Sequence, residues 1–328
     1  MRLDLDSLQK VRRQLEEARR VLVISHTRPD GDAIGSVLGL GPALTSAGKQ
    51  VHMILADGVP GNFQHLEGSS QVRHYPSGEY DTICVVDCSD LERTGKVLNG
   101  YGQPDINIDH HITNLNYAKI NLVDSKAVST TEILVEILPV LGLSLDHSVA
   151  AALLTGLITD TIGFRTSNMT PKALRLAADL TEMGLDLPDL YRRALVARSL
   201  GEARLWGVGL SQLEYLEGIV WTSITLEDRR QIGYAGLDDA DLVNVLSDID
   251  SVDIALIFLE QPNERVKVSW RSQPGFDVSQ VALGFGGGGH PNASGAEIQG
   301  AIEDVRSAVL EATRPIIMEK VLASNISR

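Results

Sequence analysis

Residues 21–32 read Val-Leu-Val-Ile-Ser-His-Thr-Arg-Pro-Asp-Gly-Asp and change abruptly from apolar to polar. A short apolar run bounded by proline and glycine is typical of a buried strand that ends in a polar loop. Apolar residues at helical spacing across 34–44 predict that a helix follows, and Pro42 predicts a kink in that helix. The segment is therefore expected to form a strand, a loop rich in chemically useful side chains, and a helix.

Similar strand and helix patterns alternate through the first half of the chain. Ser129 begins one of the helices, and Glu132 follows it at the spacing of a capping box. Strands that alternate with helices imply a parallel sheet with helices on both faces. The further strands are expected at Val51–Ala56, Thr82–Val86 and Asp105–Asp109, and the further helices from Ser129, at about Ser148–Ile158 and at Pro171–Met183.

The pattern changes after about Leu185. Residues 187–215 are helical in pattern without a strand, and a mixture of strands and helices follows. At roughly 150 residues per domain, 328 residues suggest two domains. We expect an α/β fold: a parallel-sheet domain at 1–185, a helical linker at 186–204 and a smaller α/β domain at 205–328. In the smaller domain, strands are expected at Val220–Thr225, Asp253–Leu259 and Arg265–Trp270, and helices near Ala240–Leu246 and at Ala301–Met318.

The composition argues against a duplex-binding protein, a disulfide-rich protein and a membrane protein. The 43 acidic against 29 basic residues give a net charge of −14, which argues against a large, sequence-independent duplex binder but not against nucleic-acid substrates. Two cysteines, Cys84 and Cys88, cannot form a disulfide framework and are expected in the core of a cytoplasmic protein. No apolar run approaches the roughly 18 residues of a membrane span, and no signal peptide is expected.

Acidic and histidine side chains cluster after four of the predicted elements. The carboxyl ends of parallel strands converge on one crevice, so these side chains are expected to meet there. Clustered carboxylates need cations, and mixed oxygen and imidazole ligands suit Mn²⁺ or Mg²⁺ better than a structural Zn²⁺. We therefore expect a two-metal site. Its candidate residues are His26, Asp30, Asp32, Asp87, His110 and Asp160, and Asp109 and His111 flank His110 in one of the clusters.

Each cluster also has a simpler interpretation when it is considered alone. An aspartate such as Asp32 or Asp87 after a strand more often caps a helix, and a single histidine is more often a surface or core residue. Four such clusters at the ends of elements together favour a catalytic site.

A second constellation lies in the last third of the chain. Arg271 ends a predicted strand and offers a planar fork for phosphate. Gly286–Gly289 precedes His290, and consecutive glycines let backbone N–H groups approach an anion closely. Together these residues predict a phosphate-binding or nucleotide-binding element.

These motifs resemble those of the DHH–DHHA1 phosphoesterases, of the type that includes the stand-alone bacterial nanoRNases and 3′-phosphoadenosine-5′-phosphate phosphatases. The resemblance extends over nearly the whole chain. One departure is Ile162, where the family pattern Asp-Thr-Gly would place glycine. The matching segments are residues 26–36, 85–90 with Arg93, 109–111, 129–132, 156–161 and 286–290.

The resemblance implies a role for each candidate residue. One Mn²⁺ would be bound by His26, Asp30 and Asp87, and the other by Asp32, Asp87, His110 and Asp160, with Asp87 as the bridge and Mg²⁺ as the alternative metal. His111 would face the scissile phosphate, and Asp109 would orient the histidine pair. The smaller domain would bind the nucleotide end of the substrate through Arg271, Ser272, Gly287, Gly288, Gly289 and His290.

The resemblance also implies an activity, namely hydrolysis of very short single-stranded oligonucleotides and of 3′-phosphoadenosine-5′-phosphate by two-metal water attack. Cleavage of cyclic dinucleotides such as c-di-AMP, or of linear dinucleotides, is the main alternative. An inorganic pyrophosphatase, a processive exonuclease and a catalytically silent nucleotide sensor rank lower. No membrane partner is expected, and a homodimer stays open.

Overall fold

The computed structural model describes residues 5–326, with the surroundings of side chains described as far as residue 318. The chain divides into two compact units between Ala197 and Arg198. This point falls within residues 186–204, where helical structure continues on both sides of it. Within the described residues, no helix is long and apolar enough to cross a membrane.

The first unit contains a five-stranded sheet in the order β2-β1-β3-β4-β5, in which all neighbours are parallel. The predicted α/β class is therefore confirmed. Its strands are β1 (Arg20–Ile24), β2 (Gln50–Ile54), β3 (Thr82–Val86), β4 (Ile106–Asp109) and β5 (Ile120–Val123), and its helices are α1 (Leu5–Glu17), α2 (Gly31–Ser46), α3 (Thr130–Val140), α4 (His147–Asp160), α5 (Pro171–Glu182) and α6 (Leu187–Tyr191), which continues as a π-helical turn (Arg192–Val196).

Alternate residues of the central strand face opposite sides of this sheet. Val21 and Val23 of β1 pack into the large core formed with the α-helices, whereas Leu22 and Ile24 pack into a smaller core. That smaller core includes Val97 and Leu98, which follow a 3₁₀ helix at Leu91–Thr94. Because both faces are covered, all four of these strand residues are fully buried.

Helices α2 and α4 pack against each other through small residues. A Cβ atom on Gly35 of α2 would lie only 2.6 Å from the carbonyl oxygen of Ala152 in α4. A Cβ atom on Gly156 of α4 would lie 3.0 Å from Oδ1 of Asp32. Glycine at both positions lets the two helix backbones approach closely, which fixes Asp32 relative to the carboxyl end of α4.

The second unit contains a six-stranded mixed sheet in the order β10-β11-β9-β8-β7-β6, in which only β7 and β8 are parallel neighbours. Residues of β8 again alternate between two cores: Leu256 and Phe258 face one, and Ala255 and Ile257 the other. Its strands are β6 (Glu214–Leu216), β7 (Ile219–Ile224), β8 (Ile254–Gln261), β9 (Arg265–Ser272), β10 (Gly288–His290) and β11 (Ala293–Gln299), and its helices are α7 (Leu200–Ser211), α8 (Leu226–Ile232), α9 (Leu242–Ser247), α10 (Ser279–Gly284) and α11 (Ile302–Ile326).

Two details of the sequence prediction for this half were wrong. Residues 187–215 were expected to lack a strand, but β6 begins at Glu214. All three residues of β6 are exposed, so no burial pattern marks them, and β6 joins β7 through Glu217 and Gly218, both with positive φ. The helix expected from Ala240 begins only at Leu242, because the two residues before it have positive φ.

Candidate active site

Asp30 and His26 lie in the loop between β1 and α2. Asp30 is the N-cap of α2, and its Oδ1 accepts hydrogen bonds of 3.1 Å from the backbone N–H groups of Asp32 and Ala33. Its other oxygen, Oδ2, lies 3.9 Å from Nε2 of His26. The capping role that the sequence suggested for Asp32 thus belongs to Asp30, which uses one oxygen for the helix and keeps the other facing His26.

Asp87 lies directly after β3 and is almost fully buried. Its Oδ2 lies 3.6 Å from Nε2 of His26, and its Oδ1 lies 3.9 Å from Nε2 of His110. Its backbone has φ 51°, an uncommon value for a residue other than glycine. The Asp87 carboxylate therefore lies between the imidazoles of His26 and His110.

His110 brings a second group of candidate ligands together. Its Nε2 lies 3.5 Å from Oδ2 of Asp160 and 4.0 Å from Oδ2 of Asp32. Asp32 lies in the first turn of α2, and Asp160 is the last residue of α4, two residues beyond the expected end of that helix. In three sets, ligand atoms lie within 4.8 Å of one another: His26, Asp30 and Asp87; Asp32, His110 and Asp160; and Asp87, His110 and His111.

His26 provides a test of whether these residues suit a cation. Its Nδ1 lies 2.8 Å from the carbonyl oxygen of Thr27, which can only accept, so the proton is on Nδ1. Its Nε2 is buried and has no hydrogen-bond partner among the described residues. An imidazole nitrogen that faces the carboxylates of Asp30 and Asp87 without a hydrogen bond suits a divalent metal that accepts both ligand types.

The pKa values of the carboxylates reflect the crowding of charge. Burial, followed by the charge of Asp87, raises the pKa of Asp32 well above its usual range. Burial, again with the charge of Asp87, raises the pKa of Asp160. Burial also opposes ionisation of Asp87, but the adjacent imidazole of His26 and the charges of the neighbouring histidines lower its pKa overall. The cluster thus holds more carboxyl groups than its own histidines could balance if all of them were ionised.

Two threonines that sequence reasoning did not single out hold Asp32. The backbone N–H of Thr130 donates to Asp32 Oδ2 at 2.7 Å, and the N–H and hydroxyl of Thr131 donate to Asp32 Oδ1 at 3.0 and 2.7 Å. The hydroxyl of Thr130 donates to Asp87 Oδ1 at 3.0 Å. These residues form the first turn of α3, whose N-cap is Ser129. The available signals were their position beside the predicted cap and their place in the matching segment 129–132.

The predicted capping box at this helix is offset by one residue. Ser129 Oγ accepts from the backbone N–H of Glu132 at 3.0 Å, as expected. Glu132 Oε2, however, accepts from the N–H of Val128 at 2.8 Å and not from that of the cap residue. Both interactions still satisfy donors at the start of α3 and fix the turn that binds Asp32.

His111 and Asp109 form a closely paired couple. His111 Nδ1 lies 2.7 Å from Oδ1 of the fully buried Asp109. Burial opposes protonation of His111, but the Asp109 hydrogen bond and the charge of Asp87 raise its pKa to about 9. Asn114, which sequence reasoning missed, donates to Asp109 Oδ2 at 2.5 Å and to Asn107 Oδ1 at 2.8 Å. A buried amide network therefore orients Asp109, and Asp109 orients the imidazole of His111.

The loop after Asp160 has the departure noted in the sequence. Ile162 has φ 48°, so a β-branched residue adopts the left-handed backbone conformation that glycine adopts freely. Gly163 and Phe164 also have positive φ. The chain therefore keeps the backbone turn that the family pattern would build with glycine, at the expense of local strain.

Arg271 and Ser272 end β9 in the second unit. The guanidinium of Arg271 donates from Nε to Asn244 Oδ1 at 2.8 Å and from one terminal nitrogen to the Trp270 carbonyl at 2.9 Å. Burial lowers the pKa of Arg271, and the charges of nearby carboxylates oppose that shift. The hydroxyl of Ser272 donates to the Phe276 carbonyl at 2.7 Å, which engages its only hydrogen.

The glycine run forms part of an edge strand. Gly288–His290 makes β10, which pairs with β11. Side chains on Gly287 and Gly289 would collide with the carbonyls of Gly295 and Ala293. Gly288 has no atom within 4 Å of its Cβ position and no positive φ. The fold itself thus requires glycine at two of these positions but not at Gly288.

Both units match known families. The model of the DHH family, N-terminal domain, matches residues 20–157, and that of the DHHA1 domain matches residues 234–316. The first match contains every candidate metal ligand except Asp160, and the second contains Arg271 and the glycine run.

The chain is also similar to named relatives. It is 35% identical over 302 residues to the bifunctional oligoribonuclease and PAP phosphatase NrnA of Thermus thermophilus, covering 90% of this chain and 89% of that protein. It is 27% identical over 283 residues to the protein of the same name from Bacillus subtilis, covering 85% and 89%.

Solved structures support the fold. An exopolyphosphatase-related protein from Bacteroides fragilis superposes with a TM-score of 0.89 at 26% identity and covers 97% of both chains. RecJ of Thermus thermophilus, in complex with Mn²⁺, has a TM-score of 0.58 at 18% identity and covers 97% of this chain and 55% of that one. The second similarity concerns the fold alone.

Proposed function

This chain belongs to the DHH–DHHA1 family of phosphoesterases, and on that basis we propose that it hydrolyses very short oligoribonucleotides and 3′-phosphoadenosine-5′-phosphate. The observation that carries the proposal is the meeting of two groups of imidazole and carboxylate side chains at Asp87. The names of the relatives from Thermus thermophilus and Bacillus subtilis support the substrate classes. A cytoplasmic location and a homodimer stay predictions.

We assign the carboxylate and imidazole groups to two divalent cations, Mn²⁺ with Mg²⁺ as the alternative. Bound cations would stabilise negative charge on the phosphoryl oxygens and lower the pKa of a bound water. The donor set and the unpartnered Nε2 of His26 support this assignment. One cation would be held by His26, Asp30 and Asp87, and the other by Asp32, Asp87, His110 and Asp160.

His111 is the residue that we propose contacts the phosphoryl group. Asp109 engages Nδ1, which fixes the ring and leaves Nε2 for a phosphoryl oxygen. Asn114 donates to Asp109 and is itself held by Asn107, so the ring orientation is set before substrate binds. No serine or cysteine nucleophile is needed, and the nearby Cys88 is fully buried, with its Sγ donating to the Asp90 carbonyl.

We propose that the second unit supplies groups that bind the nucleotide. Arg271 has a guanidinium that is only partly occupied by its protein partners. Gly288 leaves open space in an edge strand, next to the exposed Gly289 and His290. The hydroxyl of Ser272 could accept, but not donate, a hydrogen bond to substrate, which narrows the role that the sequence suggested for it.

The central experiment follows products over time with added Mn²⁺, on a dinucleotide, a pentanucleotide, 3′-phosphoadenosine-5′-phosphate and a cyclic dinucleotide. We expect rapid release of mononucleotide from the two short linear substrates and of phosphate from the bisphosphate. Faster turnover of the cyclic dinucleotide would overturn the proposed preference.

Two matched variants connect this activity to the cluster. Asp160→Asn removes a charged ligand at the carboxyl end of α4, and Asp146→Asn makes the same change at its N-cap, about 21 Å away along the helix. Asp160→Asn should lower kcat at least a hundredfold, whereas Asp146→Asn should leave activity near that of the parent. Equal activity of both variants would contradict the proposed metal site.

A further inference from the structure

The guanidinium of Arg271 is held by neutral partners. Its Nε–H donates to the amide oxygen of Asn244 at 2.8 Å, and one terminal N–H donates to the carbonyl of Trp270 at 2.9 Å. A guanidinium has five N–H groups, so three have no partner within the described part of the chain. Neutral acceptors orient the group without forming an ion pair with it.

The nearest carboxylates are engaged elsewhere. Asp241 pairs with Arg198 at 2.9 Å, and Asp239 Oδ2 accepts a long bond of 3.4 Å from the N–H of Val243. Among the described residues, neither carboxylate forms a salt bridge with Arg271. The charge of Asp241 is thus balanced by a different arginine, although both acids lie close enough to affect Arg271 electrostatically.

Asn244 is itself firmly placed. It lies in α9, whose Leu242 and Leu246 are fully buried. The two residues before this helix, Ala240 and Asp241, have φ 49° and 63°, an unfavourable conformation for alanine in particular. The indole N–H of Trp206 donates to the Ala240 carbonyl at 2.9 Å and holds this turn.

We propose that Asn244 is a positioning residue for substrate binding. It fixes the plane of the Arg271 guanidinium without neutralising it, so that the remaining N–H groups are directed to a phosphate of the substrate. This inference rests on the proposed role of Arg271 in binding the nucleotide. An aspartate of nearly the same shape would keep the hydrogen bond but would compete with the phosphate for the charge.

The first test is therefore Asn244→Asp. If Asn244 serves only folding, the substitution should not change KM, because the acceptor oxygen is preserved. The proposal predicts that KM for a dinucleotide and for 3′-phosphoadenosine-5′-phosphate rises about tenfold, with a smaller change in kcat. Hydrolysis of a small aryl phosphodiester, which has no nucleotide for the second unit to bind, should be unchanged. An unaltered dinucleotide KM in folded protein would overturn the proposal.

A double-mutant cycle provides the second test, with Arg271→Ala, Asn244→Ala and their combination. Asn244→Ala alone should raise the dinucleotide KM about three- to tenfold and should have little further effect when Arg271 is absent. Additive effects would overturn the proposal. Asn99→Ala, at an exposed position of the first unit, is the control and should behave as the parent. If Arg271→Ala alone leaves KM unchanged, the proposed role of Arg271 fails instead.

Discussion

Thr131 donates its hydroxyl to Oδ1 of Asp32 over 2.7 Å, although the two residues lie 99 positions apart in the chain. Its own backbone N–H donates to the same oxygen at 3.0 Å. A side chain of the first turn of α3 thus fixes the orientation of a candidate ligand on α2. Outer partners of this kind tune metal affinity without touching the metal.

Thr131→Val keeps the shape of the side chain and removes the hydroxyl. We expect the affinity for Mn²⁺ to fall about ten- to a hundredfold, while kcat at saturating Mn²⁺ stays within about threefold of the parent. Calorimetric titration of the chelator-treated protein measures the affinity. Thr155→Val is the control, because the buried Thr155 hydroxyl donates only to the Ala151 carbonyl within its own helix. Equal affinities in the two variants would contradict the assignment.

The glycine run permits a test that separates folding from binding. Gly287→Ala would place a Cβ atom against the Gly295 carbonyl, so we expect it to lower the free energy of unfolding by about 1–3 kcal/mol. Gly288→Ala meets nothing within 4 Å and should leave stability unchanged, but it should raise the KM for dinucleotides. Urea unfolding and steady-state kinetics measure the two effects. An unchanged KM for Gly288→Ala would remove this residue from the binding surface.

Ile162 offers a gain in stability. Its φ of 48° is unfavourable for a β-branched side chain, and asparagine tolerates this conformation better. Ile162 is 39% exposed, so the substitution also loses apolar burial, which offsets part of the gain from relieved strain. Ile162→Asn should therefore raise the free energy of unfolding by at most about 1 kcal/mol. Ile112→Asn, at an exposed site without positive φ, is the control in urea unfolding. A loss of stability in Ile162→Asn would show that the side chain is needed.

The hydrogen bonds of Asp81 predict that part of the protein's stability is lost in acid. Its carboxylate accepts two hydrogen bonds of 2.8 Å, from the N–H groups of Arg20 and Arg19, and these bonds lower its pKa from 3.8. Because the pKa of Asp81 is lower in the folded state, its carboxylate stabilises the protein above pH 4. This stabilisation is lost as the pH falls further. Asp81→Asn should therefore be less stable at pH 7 but lose less stability between pH 5 and pH 3. Parallel stability curves for variant and parent would contradict this.

The sequence was most informative where chemistry depends on the type of residue. The strand Thr82–Val86 has the predicted bounds, because four β-branched residues and Cys84, without a charge among them, leave little ambiguity in a buried parallel sheet. The candidate ligands come together because they follow elements whose ends share one edge of the sheet. Their roles remain proposals.

The sequence was least informative where a role depends on distant contacts or on short exposed elements. Thr131 and Asn114 have ordinary local sequence patterns, and their importance arises only from contacts with Asp32 and Asp109. The edge strand β10 is rich in glycine and exposed, so no alternation of apolar residues marks it. Neither the helix and strand propensities nor the apolar periodicity of the sequence reveals these contacts or this strand.

The close packing of α2 on α4 has a calorimetric consequence. Asp32 and Asp160 belong to helices whose backbones touch at Gly35 and Gly156, so their relative position is established when the core forms. Cation binding then needs no coupled ordering of either helix and buries little apolar surface. The heat-capacity change of binding should accordingly be small, unlike that of metal sites that fold on loading. The site would thus be preorganised: the entropy cost of bringing the ligands together is incurred when the protein folds and not when the cation binds.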